Sequence, residues 1–244
     1  MIKLVNLGYR VDGQTILHDI NLEFNEGETF VIMGPSGCGK STLLRLIMGL
    51  IRPTSGWVEI DDFSTVTLSA RDWHQIRYKM GMVFQSAALF DSMTVFDNVA
   101  FGLRRRGEKE ENIRNRVMDT LSIVGLDADV AGKMPSDLSG GMKKRTAIAR
   151  AIATEPPILL YDEPTTGLDP IIANTINELI CELQQKLHIT SIVVTHDIIS
   201  ALKVADRIGL LYQGDLVEVR DRSDLKNAGH PLLRQFLKEY QLSL

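Results

Sequence analysis

The amino-acid sequence predicts an α/β fold, with a mainly parallel sheet core, an N-terminal antiparallel β layer and an inserted α-helical subdomain. Short apolar runs alternate with longer amphipathic stretches, the order typical of strands connected by helices. The 244 residues are 44% hydrophobic and 24% charged, which is a globular composition with ample length for a sizeable core. Strand signals nearly vanish between residues 86 and 155, so the helical subdomain is expected there.

The expected strands are of two kinds. Ile20, Leu22 and Phe24 alternate with polar neighbours, the pattern of half-buried strands, and this predicts an antiparallel layer near the N-terminus. Other segments are apolar without alternation, as is typical of strands buried on both faces of a parallel sheet. These buried strands are predicted at residues 29–33, 81–85, 157–163 and 191–196.

Helices are expected between these strands. Thr94 followed by Asp97 resembles a capping box at the start of one helix, and Gly125 is suited to end another. The predicted helices cover residues 40–50, 94–105, 110–124, 140–153, 171–187 and 197–205. We therefore expect a single domain with three parts: core plus antiparallel layer at 1–85 and 156–222, helical subdomain at 86–155 and C-terminal helical tail at 223–244.

Charge and cysteine content exclude several classes of protein. The net charge is −4 and the pI is near 5.8, so no overall positive field attracts the chain to nucleic acid or anionic lipid. Its two cysteines, Cys38 and Cys181, are too few for a disulfide framework. No apolar run approaches the ~20 residues that span a bilayer, and no signal peptide is recognisable. We expect a soluble, intracellular protein that reaches a membrane only through a partner.

The first specific motif is "GPSGCGKST" at residues 34–42, which fits the P-loop pattern G-x-x-x-x-G-K-[ST] between a strand and a helix. Glycines let backbone N–H groups surround an anion, and the helix N-terminus adds partial positive charge. Lys40 is expected to reach the β- and γ-phosphates, and the Ser41 hydroxyl to ligate Mg²⁺. The alternative is a glycine-rich turn that matches by chance. The predicted nucleotide-binding loop consists of Gly34, Pro35, Ser36, Gly37, Cys38, Gly39, Lys40, Ser41 and Thr42.

The second motif is "ILLYDEP" at residues 158–164, an apolar strand that ends in two acids. Asp162 is expected to aim its carboxylate at the metal beside the P-loop, usually through water. Adjacent strand residues point to opposite faces, so Glu163 is expected to act differently, as the general base that polarises the attacking water. The alternative is a pair of solvated acids at the end of a strand.

Polar residues also gather at one edge of the predicted sheet. Gly34, Gln85, Asp162, Glu163 and His196 all fall at the carboxyl ends of buried strands, and open α/β sheets bind ligands along that edge. Gln85 offers an oxygen for Mg²⁺ and an amide for the water. His196 is placed to bind the γ-phosphate, although alone it also fits an ordinary strand-end histidine.

A second candidate phosphate site is "LSGGMKKR" at residues 138–145. Ser139 and the amides that open the following helix suit a γ-phosphate. The helical insertion is expected to hold this segment away from its own P-loop. In a two-fold symmetric pair, however, each copy's segment can cover the other copy's nucleotide. The alternative is that Ser139 only caps a helix.

The ordered motifs resemble those of the nucleotide-binding subunits of ATP-binding cassette (ABC) transporters, and the match covers essentially the whole chain. Each motif has a counterpart in that family. The counterparts are the Walker A motif at 34–42, the Q-loop at Gln85, the signature motif at 138–142, the Walker B motif at 158–163, the D-loop at 167–169, the switch histidine at His196 and the adenine-stacking aromatic at Tyr9.

The resemblance implies an ATPase that binds ATP and Mg²⁺ and forms a homodimer with ATP at the interface. The implied catalytic residues are Glu163, His196, Lys40 and Gln85. The implied magnesium ligands are Ser41, Gln85 and Asp162. The partner copy is implied to contribute Ser139, Gly140, Gly141, Met142 and Asp169. The signature motif usually ends in glutamine, and Met142 cannot supply the amide contact of that residue.

Several segments resemble a narrower group, the ATPases of bacterial lipid-trafficking systems of the Mla type. They are "LSGGMKKR", "FQSAALFDSMTVFDNVAFGLR", "DEPTTGLDP" with the following Ile171, and "HPLLRQFL". This resemblance implies phospholipid transport at the cytoplasmic face of the inner membrane. It also implies three partners: an integral-membrane permease, an MCE-domain substrate-binding protein and a small regulatory subunit.

The family resemblance further implies a groove for the permease at residues 86–106. Leu89, Phe90 and Phe96 are candidates for that contact, although burial in the core explains these apolar residues as well. The three arginines at 104–106 form either a partner-facing patch or a solvated helix end.

Other functions remain open alternatives. The chain could power an importer of amino acids or other small solutes, or act without a transporter, for example as a cell-division scaffold. A degenerate, binding-only subunit is disfavoured because Lys40, Glu163 and His196 are all present. Nucleic acid is not an expected partner, because the chain has one cassette and no long coiled-coil insertion.

Overall fold

In a computed structural model, which describes residues 2–61, 63–66 and 68–241, strands and helices alternate along the chain. The strands are β1 (Ile2–Val11), β2 (Gln14–Phe24), β3 (Thr29–Met33), β4 (Ser55–Ile60), β5 (Phe63–Ser64), β6 (Met80–Val83), β7 (Ile158–Asp162), β8 (Thr190–Thr195), β9 (Arg207–Tyr212) and β10 (Asp215–Asp221). The helices are α1 (Lys40–Ile47), α2 (Ala70–Tyr78), α3 (Val95–Arg105), α4 (Glu110–Ile123), α5 (Gly140–Ile152), α6 (Pro170–Leu187), α7 (Ile198–Val204) and α8 (Pro231–Gln241). None of the helices in the described part of the chain is long and apolar enough to cross a bilayer.

Two sheets organise the fold. The larger has the order β10-β9-β3-β8-β7-β6, in which all neighbours are parallel except the antiparallel pair β9 and β10. The smaller has the order β2-β1-β4-β5 and is antiparallel. The predicted α/β core with an antiparallel N-terminal layer is therefore confirmed.

The parallel sheet separates two hydrophobic clusters, and this explains its continuous apolar runs. In β3, Phe30 and Ile32 pack towards the antiparallel sheet and α1. Val31 and Met33 pack into the cluster on the opposite face, which includes residues of α3 to α7. A strand covered on both faces needs apolar residues at successive positions rather than at alternate ones.

The helical insertion is also confirmed. Residues 86–155, all of them described, contain α3, α4, α5 and two short 3₁₀ turns, but no strand. Thr94 caps α3, since its hydroxyl oxygen accepts from the Asp97 N–H at 3.1 Å. The capping box is incomplete, because the Asp97 carboxylate accepts from the Thr94 hydroxyl rather than from its backbone. Gly125 follows α4 with φ +69°, as expected for a helix end.

Three strands end earlier than predicted. β8 stops at Thr195, one residue before the predicted end at 196. β7 stops at Asp162, because Glu163 adopts a left-handed backbone with φ +48°. β6 stops at Val83, so Gln85 lies two residues beyond it in a turn. At the C-terminus, α8 forms half of the predicted tail at 223–244, and residues 242–244 lie outside the described residues. The three-part division of the chain stays a prediction.

Candidate functional site

The loop at residues 34–39 connects β3 to α1 and is shaped by its glycines. A Cβ atom at Gly34 would lie 2.1 Å from the Leu211 carbonyl oxygen. Gly39 has φ +106° and precedes α1 without a side-chain cap. Because no side chain caps the first turn of α1, its N–H groups are available to an anion.

Lys40 places a buried positive charge against this loop. Its side chain is 5% exposed, and its ammonium donates to the carbonyls of Gly34 at 2.8 Å and Pro35 at 3.0 Å. The same nitrogen lies 3.5 Å from Glu163 Oε1. A buried ammonium needs such partners, and here two of them are carbonyls of the P-loop itself.

Asp162 and Glu163 are adjacent in sequence but have different partners. Asp162 Oδ1 accepts from the Ser41 hydroxyl at 2.7 Å. Glu163 Oε2 accepts from the Thr166 hydroxyl at 3.0 Å and lies 2.8 Å from His196 Nδ1. The predicted reason for this separation is wrong, because Glu163 is not a strand residue on the opposite face. The chain leaves the strand at Glu163, and its left-handed backbone redirects the side chain.

One cleft of about 610 Å³ gathers most of the predicted site residues. Tyr9, Gln85, Glu163 and His196 line it together with much of the P-loop. The loop residues in its wall are Ser36, Gly37, Gly39, Lys40, Ser41 and Thr42. The expected convergence at the carboxyl edge of the parallel sheet is therefore present. Four lining residues were not predicted: Val11, Ile16, Arg45 and Ile51.

The residues predicted to come from a partner copy lie outside this cleft. Ser139 and Gly140 are exposed, and the Ser139 hydroxyl oxygen accepts from the Met142 N–H at 3.3 Å. Asp169 Oδ1 accepts from the N–H groups of Ile171 and Ile172 at 3.1 and 3.0 Å. Within one copy, Ser139 caps α5 and Asp169 caps α6. The remaining members, Gly141 and Met142, belong to the first turn of α5.

Lys144 is a site residue that the sequence analysis missed. It is 4% exposed, and its ammonium donates to the carbonyl oxygens of Gln85 at 2.6 Å, Glu163 at 3.3 Å and Phe84 at 3.4 Å. Burial lowers the pKa of Lys144 to about 8, against the opposing effect of the two acidic side chains nearby. A sequence signal exists, since Lys144 lies one helical turn before the apolar Ile148 on the same face of α5.

The predicted arginine patch is largely used within the chain. Arg104 pairs with Asp97 at 2.8 Å and with Glu110 at 2.9 Å. Arg106 donates to the carbonyls of Thr154 at 2.7 Å and Tyr78 at 2.6 Å. Both arginines are exposed at the end of α3, as the solvated helix end predicts, and in addition both join parts of the fold.

The three apolar candidates for the permease groove differ in their exposure. Leu89 and Phe96 are partly buried and pack against the helical cluster. Phe90 is 40% exposed and lies against Phe101, with ring centroids 4.7 Å apart. Phe90 is thus the candidate whose ring is most available to a partner.

No cluster of three or more His, Cys, Asp or Glu side chains in the described part of the chain is arranged to hold a metal. The pair of Ser41 and Asp162 is of another type. It brings one hydroxyl and one carboxylate oxygen together beside the P-loop. Mg²⁺ bound to a nucleotide commonly takes few protein ligands, because phosphates and waters fill the remaining positions.

Comparison with known proteins agrees with this geometry. Residues 17–166 match a family model described as ABC transporter. The methionine import ATP-binding protein MetN of Carboxydothermus hydrogenoformans is 44% identical over 97% of this chain and 71% of the relative. The intermembrane phospholipid transport system ATP-binding protein MlaF of Haemophilus influenzae is 41% identical over 98% of this chain and 90% of the relative.

Some relatives are considerably longer. The probable ribonucleotide transport ATP-binding protein mkl of Mycobacterium leprae is 41% identical over 91% of this chain, which spans 64% of that relative's length. Among solved structures, a dimeric ATP-binding cassette in a post-hydrolysis state, bound to ADP and Pi, has a TM-score of 0.83 and 37% identity. The alignment covers 91% of this chain and 99% of that structure's chain.

Proposed function

The chain belongs to the ABC transporter family as an ATPase subunit, and from this premise we propose that it hydrolyses ATP in the cleft formed by the P-loop, Gln85, Glu163 and His196. The observation that carries the proposal is that this single cleft gathers a lysine, a carboxylate, an amide and an imidazole around an uncapped helix N-terminus. Its volume of about 610 Å³ lies within the usual range for small-molecule sites.

Nucleotide binding is assigned to the P-loop and Tyr9. The backbone of residues 34–39 and the first turn of α1 hold the phosphates, and Lys40 neutralises their charge. Tyr9 lies in the wall of the same cleft, where its ring is available to stack on adenine. The unpredicted Val11, Ile16 and Ile51 add apolar surface beside it.

The residues present also fit Mg²⁺. Ser41 and Asp162 supply oxygens held 2.7 Å apart, and Gln85 in the cleft wall offers an amide oxygen. When bound, the ion neutralises charge on the phosphates.

Glu163 is assigned the general-base role. Its carboxylate is held by Thr166, and His196 and Lys40 lie beside it. These contacts leave it in the cleft wall, where it can accept a proton from the attacking water. His196, half-exposed at the same edge, is placed to bind the γ-phosphate.

We further assign the exposed segment 138–142 and Asp169 to the nucleotide site of a second copy. Within one copy they lie outside the cleft, and the helix start at Ser139 faces solvent. A two-fold homodimer would place each segment over the other copy's P-loop. The dimeric state of the similar solved cassette supports this assignment.

The finer proposal is that ATP hydrolysis powers phospholipid transport, with a membrane permease, an MCE-domain protein and a small regulatory subunit. The relative named for intermembrane phospholipid transport supports it, as do the segments that resemble the Mla type. The chain would then be peripheral on the cytoplasmic face of the inner membrane, with Phe90 and its surroundings at the permease. The alternative is an amino-acid importer, which the relative named for methionine import favours.

Partner identity distinguishes the two transport functions. The tagged full chain is isolated from its native membranes, and the proteins that remain bound to it are identified by mass spectrometry. An MCE-domain protein with its permease supports the lipid assignment. A six-helix solute permease with an amino-acid receptor contradicts it and supports the alternative. In the reconstituted lipid system, Glu163→Gln is expected to abolish ATP-dependent phospholipid transfer.

A further inference from the structure

Lys144 carries a buried positive charge that the assigned roles do not use. Its ammonium donates to three backbone carbonyls, those of Phe84, Gln85 and Glu163. Three acceptors match the three N–H bonds of an ammonium, and among the described residues no side chain hydrogen-bonds it. The lysine therefore joins the backbone of the Gln85 loop to the backbone of Glu163.

Both segments that Lys144 joins contain non-glycine residues in the left-handed region. Glu163 has φ +48°, and Ala87 and Ala88 in the Gln85 loop have φ +64° and +47°. Such residues persist only where surrounding contacts over-determine their conformation. Arg150, six residues further along α5, donates to the carbonyls of Ala88 at 2.6 Å and Ala87 at 2.9 Å. Side chains of α5 thus hold the loop at two places.

We propose that Lys144 is a positioning residue for ATP hydrolysis, which holds Gln85 and Glu163 in a fixed relation across the cleft. The inference rests on the proposed roles of those two residues. Lys144 does not line the cleft, so it acts through the backbone it binds. Because Ser139 caps the start of α5, the helix proposed to meet the partner copy's nucleotide also holds the hydrolytic residues of its own copy.

The proposed role predicts that loss of the Lys144 ammonium lowers the rate of ATP hydrolysis without weakening ATP binding. Lys144→Met keeps an unbranched side chain of similar length and removes the donors. Since misplacement of reacting groups by about 1 Å can cost about a hundredfold in rate, we expect kcat to fall by roughly ten- to a hundredfold. The Kd for ATP is expected to stay within about twofold, because the P-loop is unchanged.

Lys186→Met is the matched control, because it makes the same change at a lysine outside both proposed nucleotide-binding surfaces. Lys186 is exposed on α6, and its ammonium pairs with Glu182 at 2.8 Å. Its kcat and Kd are expected to stay within about twofold of the wild-type values. Steady-state ATPase assays, ATP titration and thermal unfolding are measured on each purified full-length variant.

The outcomes are distinguishable. If Lys144→Met does not fold, Lys144→Gln replaces it and must show a loss of kcat at nearly constant Kd, because its shorter amide has two N–H donors for the three carbonyls. A folded Met or Gln variant with a kcat within about twofold of wild type overturns the inference. A parallel loss of kcat and ATP affinity also overturns it, because that result indicates a general structural role. A wild-type chain without ATPase activity contradicts the proposed function instead.

Discussion

At the scale of single residues, Glu163 combines an unusual backbone with a well-held carboxylate. Its φ of +48° lies in a region that non-glycine residues rarely adopt. Its N–H donates to the Val194 carbonyl at 3.0 Å, and its own carbonyl accepts from Lys144. Strained residues cluster at functional sites, where the surrounding structure maintains them. The backbone thereby aims the carboxylate at the cleft rather than along the strand.

Glu163→Gln is expected to separate ATP binding from hydrolysis. The amide keeps the size of the side chain but cannot accept the proton of the attacking water, so turnover should fall by about a hundredfold or more. Affinity for ATP should be nearly unchanged, since the P-loop remains intact. Phosphate release and nucleotide titration measure the two quantities. Glu182→Gln, at an exposed ion pair with Lys186, is the control, and normal turnover of Glu163→Gln would disprove the general-base role.

Lys40→Ala tests the P-loop assignment. Removing a buried ammonium from beside the predicted phosphates should weaken ATP binding by about tenfold or more, because charge-assisted hydrogen bonds are among the strongest in proteins. Isothermal titration measures the affinity, and circular dichroism shows whether the fold survives. Lys186→Ala removes an exposed lysine and serves as the control. An unchanged affinity in Lys40→Ala counts against the assignment of the loop.

At the scale of secondary-structure elements, a carboxylate on β10 holds the chain that leads into α8. The Glu218 oxygens accept from the N–H groups of Gly229 and His230, each at 2.7 Å. Arg220 donates to the same carboxylate at 2.8 Å. Burial opposes ionisation of Glu218, but these donors outweigh it and lower its pKa. The start of α8, whose Leu233 is fully buried, is thus tied to the larger sheet.

Glu218→Gln is expected to loosen α8 without affecting hydrolysis. An amide replaces one acceptor oxygen with a donor that faces an N–H group, at a cost of about 1–2 kcal/mol. Hydrogen exchange should become faster around residues 229–237, while ATPase activity should match that of wild type. Exchange protection equal to wild type in that segment would show that other contacts hold α8.

The same carboxylate gives a pH dependence with a defined sign. Since the folded pKa lies below the unfolded value of about 4.3, ionised Glu218 stabilises the fold fully above that value. The contribution is lost as the pH falls through the folded pKa. The difference in unfolding free energy between wild type and Glu218→Gln should therefore be constant near neutrality and shrink below about pH 4. Denaturant unfolding across that range measures it, and a difference that grows on acidification would contradict the assignment.

At the scale of the whole molecule, the site is assembled from distant parts of the chain, and the proposed homodimer would complete it. The P-loop, Gln85, Glu163 and His196 come from four parallel strands that end at one sheet edge. The helical insertion, in contrast, holds the N-terminus of α5 at Ser139 outside this cleft. Ser139 and Gly140 are exposed. This exposure is expected if the second candidate phosphate site binds the nucleotide of another copy.

Dimerisation follows as a prediction at this scale. With ATP and Mg²⁺, Glu163→Gln is expected to shift to twice its monomeric mass, because blocked hydrolysis keeps the interface closed. Adding Gly140→Trp should prevent the shift. Gly140 is exposed, and a Cβ there meets only the flexible Leu168 end at 3.3 Å, so the single chain should still fold. Light scattering with chromatography measures the mass, and a dimer that tolerates the tryptophan would contradict the proposed interface.

Features that the sequence failed to predict share a dependence on distant neighbours. β9 was missed because Gly209 weakens its strand pattern, yet a Cβ there would lie 3.0 Å from Phe30. In α2, Ile76 is the one buried residue among those whose burial is described, and Trp73 is partly buried. The rest of the stretch is mostly polar, so its helical periodicity is weak. In both elements, packing against other parts of the chain decides the structure where local preference is weak.

The sequence by itself determined the P-loop, four of the five parallel strands and the helical insertion. A phosphate loop is a contiguous run whose chemistry lies in its residue types, and a strand buried on both faces must be apolar throughout. Tertiary structure alone decided that Glu163 turns left-handed and that Lys144 and Thr166 hold its backbone and carboxylate. The physical reason is that these contacts form only when separate elements pack together. A short stretch of sequence does not specify which distant carbonyl or hydroxyl will bind its side chains.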